Sequence, residues 1–141
     1  MFAYLRLYLT ILAVMIPIDL IWLKYIAYNF YQNAFPFWAP EELFYPCLIF
    51  YCMYAFAIII LAMRPAFERR SLSHAVGLGA LLGIMNYAGY DLTNLALLAN
   101  WPIDLTIVDI CWGGVLTMLA TGIPFYLETT FFQKNRSLNQ N

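Results

Sequence analysis

The stretch that decides the fold is AVGLGALLGIMNYAGYDLTNLALL, residues 75–98. At about 1.5 Å of rise per residue it is long enough for the roughly 30 Å of hydrocarbon in a bilayer. Yet Asn86, Asp91 and Asn94 lie inside it. A carboxylate at the centre of a span costs about 2.5–3.5 kcal/mol on lenient insertion scales, so it needs a partner or a water-filled cavity. Residues 75–98 therefore read as a span with one polar face.

A helix turns about 100° per residue. With Gly83 as origin, Gly79, Asn86, Tyr87, Tyr90, Asp91 and Asn94 share one face. Leu78, Leu81, Met85, Ala88, Leu92 and Ala96 occupy the other. The apolar side suits lipid and the polar side suits a bundle interior. Ala75, Gly79 and Gly83 form a ridge of small residues that lets a neighbouring backbone come close.

Working outward, three more apolar runs appear at 4–27, 43–63 and 104–127. The first is too long for a signal peptide, and Tyr28, Asn29 and Phe30 follow it where a cleavage site would need small residues. The chain has 141 residues, 64 % hydrophobic and 11 % charged, against about 25 % charged in a soluble domain. The expected fold is an all-α membrane protein: a four-transmembrane-helix bundle over residues 1–132, then a polar tail at 133–141. The lipid bilayer is its first partner. A formal net charge of −1 leaves no basic footprint, so nucleic acid is not an expected partner.

Arg6, Arg64, Arg69, Arg70, Lys134 and Arg136 fall on one side of the four runs, and Lys24 on the other. By the positive-inside rule both termini are cytoplasmic. The outer loop at 28–42 is aromatic and reads as an interfacial lid; Pro40, Glu41 and Glu42 read as a helix start. Residues 64–74 form a polar inner loop with the chain's one histidine, His74, read as solvated. Trp101 reads as an interface anchor, Pro102 as a helix stop and Asp104 as an N-cap. Cys47, Cys52 and Cys111 have no metal-type spacing and read as buried, unreactive thiols.

Two other runs carry acids. Asp109, Gly113, Thr117 and Ala120 share a face of the last, with Trp112 nearby; Asp19 shares a side of the first with Tyr8 and Trp22. From the rise per residue, Asp19, Asp91 and Asp109 all lie about 5–8 Å outside the midplane. An outward-facing acidic pocket is expected, walled by Trp22, Asn86, Tyr87, Tyr90, Asn94 and Trp112. Three carboxylates in a low-dielectric site either keep protons or are neutralised by a cation.

Three functions fit. The first is binding or transport of a small polar or cationic ligand between aromatic walls; a transport path through so few spans calls for a homodimer or a larger membrane complex. The second is a structural or accessory subunit of such a complex. The third is a membrane-embedded enzyme using paired aspartates, to which no histidine or nucleophile motif lends support. No cofactor or metal is specified.

Asp19-Leu20-Ile21-Trp22-Leu23 echoes Asp91-Leu92-Thr93-Asn94-Leu95, as two hairpins related by an axis along the membrane normal would. These two stretches, with Tyr90 and Ala96 flanking the second, Trp101-Pro102 and Asp109-Ile110-Cys111-Trp112-Gly113 together resemble the family called domain of unknown function 2177. The resemblance spans nearly the whole chain. It implies a small four-helix protein of the bacterial inner (cytoplasmic) membrane, multi-pass, and implies no activity.

Overall fold

The computed structural model describes residues 2–28 and 45–132. The aromatic outer loop, the helix start at Pro40 and the tail from Gln133 lie outside the described residues. Those described form an all-α membrane bundle. Helix α1 (Phe2–Ile21) ends in a π turn, Trp22–Ile26. Helix α2 (Tyr45–Ile58) runs through a second π turn, Ile59–Met63, into α3 (Arg64–Glu68). Helix α4 is Leu72–Leu97, and α5 (Ile103–Leu127) continues into a third π turn, Glu128–Phe132.

The segments Ala3–Ile26, Tyr45–Glu68 and Ile103–Phe131 are long and apolar enough to cross a membrane. Helix α4, at 26 residues, is as long but less apolar. The polar face read from its sequence is what dilutes it.

Local chemistry explains the breaks. Pro65 has no N–H to close the ladder of the preceding turn, and the backbone there widens into the π turn, with the Arg64 amide bonded back to the Ile59 carbonyl. The inner loop expected over 64–74 is therefore mostly helix. The actual turn is Arg69–Ser71, with Arg70 at φ 48° and the Ser71 hydroxyl accepting from the His74 amide at 3.3 Å as an N-cap. At the other end Asn100 takes φ 63°. Pro102, not Asp104, occupies the N-cap of α5, and Asp104 instead accepts from the Leu105 amide.

The core follows from helical spacing. Leu7, Ile11 and Met15 form a row four residues apart on α1, buried against Tyr51, Tyr54, Ala55 and Ile58 of α2 and Leu116 and Ala120 of α5. Phe67 stacks on Phe125 at 4.9 Å. Arg6 pairs with Glu128 through two hydrogen bonds, which joins the start of α1 to the end of α5.

Helices α4 and α5 make the most intimate pair. A Cβ at Gly79 would strike the Thr121 side chain and Thr117 carbonyl; one at Gly83 would strike the Gly113 carbonyl and Thr117 hydroxyl. The small-residue ridge is thus in direct backbone contact with α5. The opposite faces, with Phe50, Met53, Phe56, Leu81, Met85, Leu92 and Ile107, are exposed, as a lipid-facing surface requires. Cys47 and Cys111 share that surface, and Cys52 is half-buried. They are not the buried thiols expected, because each lies off its helix's inward row.

Candidate functional site

The inward row of α1 continues Leu7, Ile11, Met15 with Asp19, which is buried. Asp19 keeps its place because two other helices bring donors to it. The Tyr51 hydroxyl of α2 donates to its Oδ2 at 2.6 Å, and the Trp112 indole of α5 donates to its Oδ1 at 2.9 Å. Trp22, three residues on, lies flat on Trp112, with ring centroids 4.2 Å apart and planes 7° from parallel. Asp19 is therefore a fully bonded clamp joining α1, α2 and α5.

The register of α4 on α5 sets the other two acids. Gly79 meets Thr117 and Thr121, Gly83 meets Gly113 and Thr117, and the Tyr87 ring covers Gly113. Each turn further along α4 meets an earlier turn of α5. One further turn brings Asp91 opposite the turn that carries Asp109, within electrostatic range of it. Both are buried, Asp91 at 0 % exposure and Asp109 at 3 %. Tyr87 lies between the two acidic centres, within range of Asp19, Tyr51 and Asp109.

Asp91 differs from Asp19 in its partners. Among the described residues neither Asp91 oxygen has a hydrogen-bond partner, nor does the Trp22 Nε1, all of them buried atoms. Asn94 is half-buried one turn further along α4 on the same face as Asp91, and Asn86 is half-buried five residues before Asp91.

Tyr90 departs from the expected wall. It is 62 % exposed, and its ring meets Trp101 edge-on at 5.9 Å. Trp101 is itself buried rather than an interface anchor, its indole donating to Thr106 at 3.0 Å. Trp101 folds back beside α4, and the Tyr90 ring turns outward to meet it.

Among the described residues no three histidine, cysteine or acidic side chains converge as a metal site. The three acids thus divide into a bonded clamp at Asp19 and a pair at Asp91 and Asp109. Two surface hollows lie towards the opposite end of the bundle, one along Leu5, Leu9 and Ala13 and one between Tyr4, Ile59 and Arg64.

Sequence reasoning did not find Tyr51 or Tyr54, and it gave Thr117 only a place on the Asp109 face. The Tyr54 and Thr117 hydroxyls bond at 2.9 Å, just inside the bundle from the clamp. Their signal was present: Tyr51, Tyr54, Ala55 and Ile58 fall on one face of α2 at helical spacing. A tyrosine in an apolar run reads as easily as lipid-facing, and only the packing tells the two apart.

The model of one family, described as a predicted membrane protein (DUF2177), matches residues 4–126. The chain belongs to that family. The matched region of this DUF2177 member takes in nearly all of α1, all of α2 to α4 and nearly all of α5, with Asp19, Asp91 and Asp109 inside it. No curated protein and no solved structure matches the chain.

Proposed function

We propose that this protein crosses the bacterial inner membrane four times, with both termini cytoplasmic, and uses Asp91 and Asp109 to bind or pass a small cationic or polar ligand entering from outside. The observation that carries the reading is Asp91: wholly buried, beside a second acid, with both oxygens unpartnered among the described residues. An unpaired buried acid is expensive, whereas a buried acid kept for structure is bonded, as Asp19 is. The contrast inside one bundle favours a ligand at Asp91 and a structural role at Asp19. The stacked Trp22 and Trp112 rings add aromatic faces of the kind that suit a cation.

Four spans agree with the charge pattern and with Arg6 and Glu128, from the first and last helices, meeting at one end. The test is thermal stability of the purified protein against sodium, potassium, methylammonium and tetramethylammonium. At least one should raise the melting temperature in a concentration-dependent way. Asp91→Asn should remain folded and lose that gain. If no cation stabilises the wild type, or Asp91→Asn keeps the full gain, the reading fails.

A further inference from the structure

At the end of the bundle where Arg6 meets Glu128, a hollow of about 180 Å³ is lined by Tyr4, Leu7, Ile59, Arg64, Phe67 and Glu68. That is several times the ~30 Å³ share of one water, so it suits a larger guest. Its wall is graded along the bundle axis. Tyr4, Arg64 and Glu68 form an exposed polar rim, and Leu7 and Ile59 form a floor one turn deeper. Phe67, fixed by its stack on Phe125, closes one side. The π turn creates this grading. Residues five apart on a straight α-helix stand about 140° apart, but the Arg64 amide bonds the Ile59 carbonyl, which sets Arg64 over Ile59.

Charge identifies the guest. Arg6 is taken up by Glu128. The Arg64 guanidinium has no ion pair or hydrogen bond among the described residues. Over residues 64–70 Arg64, Arg69 and Arg70 stand against one acid, Glu68. A guanidinium matches a phosphate with paired N–H donors, and the Tyr4 hydroxyl is a further donor at the rim. A free phosphate would leave the apolar floor bare, and an uncharged acyl chain would leave the guanidinium bare. We infer that the hollow holds one phospholipid of net negative charge, with its phosphate on Arg64 and Tyr4 and an acyl chain over Leu7 and Ile59. The arginine surplus favours a headgroup without a cation of its own, as in phosphatidylglycerol. This site is independent of Asp91, which lies towards the other end of the bundle.

Native mass spectrometry of the full chain in a neutral detergent tests it. Phosphatidylglycerol, phosphatidylethanolamine and phosphatidylcholine with the same acyl chains are titrated separately. One phosphatidylglycerol should be retained at a concentration about tenfold below either of the others. Arg64→Gln, at an exposed position, should bring phosphatidylglycerol to their level. Lys24→Gln, at the opposite end of α1, should leave the preference unchanged. Equal retention of the three lipids by the wild type overturns the inference, and that comparison needs no variant to fold. So does a preference that survives Arg64→Gln, or one lost equally in Lys24→Gln. Displacement of the lipid by an equal concentration of glycerol phosphate, the headgroup without its chains, overturns it as well and leaves only an anion site.

Discussion

Replacing Gly83 by alanine places a methyl group where α4 and α5 touch. The new Cβ would overlap the Gly113 carbonyl carbon and oxygen and the Thr117 hydroxyl. Two of these are backbone atoms and cannot rotate away, so the helices must part. Overpacking a tight interior costs about 1–3 kcal/mol, and a backbone obstacle puts this site at the upper end. Pushing the Thr117 hydroxyl aside also loosens its hydrogen bond to Tyr54 of α2, worth about 0.6 kcal/mol in a membrane. Gly77 on the same helix is the control, because a Cβ there meets nothing within 4 Å. Alanine is the better helix former by up to about 1 kcal/mol, so Gly77→Ala should be neutral or stabilising. The two variants should differ by about 3–4 kcal/mol, two to three decades in the unfolding equilibrium. Steric trapping of biotinylated protein in bicelles measures it directly. A difference below about 0.5 kcal/mol, within ordinary surface variation, would show that α4 and α5 do not meet at Gly83 and Gly113. The register that sets Asp91 beside Asp109 would go with it.

Tyr51→Phe removes the donor to Asp19 Oδ2 and strands a buried oxygen, at a cost of about 1–3 kcal/mol. Tyr45→Phe, at an exposed position, should be silent by the same melting assay, and equal effects would contradict the clamp. Arg6→Glu sets like charges together at Glu128 and should destabilise by about 1 kcal/mol, little because Arg6 is part-exposed. The double exchange Arg6→Glu with Glu128→Arg should recover most of the loss, and no recovery would argue against the pairing of the first and last helices.

Composition and the spacing of the apolar runs were enough to read an all-α membrane protein, because a bilayer demands long apolar helices with their backbone bonds closed within the segment. The 3.6-residue period was enough to place Gly79, Gly83 and Asp91 on the inward face of α4, and Asp109, Gly113 and Thr117 on that of α5. None of this says which side chain meets which, since periodicity describes one helix and a hydrogen bond between spans needs two. Asp19 and Asp91 looked alike in sequence, each opening a similar five-residue echo. Packing separated them: Tyr51 and Trp112, from two other helices, close on the carboxyl group of Asp19, while among the described residues none donates to Asp91. Tyr90 shared the wheel position of an inward residue, yet its ring turned to Trp101, a neighbour delivered by a tight connection whose path helical periodicity does not encode.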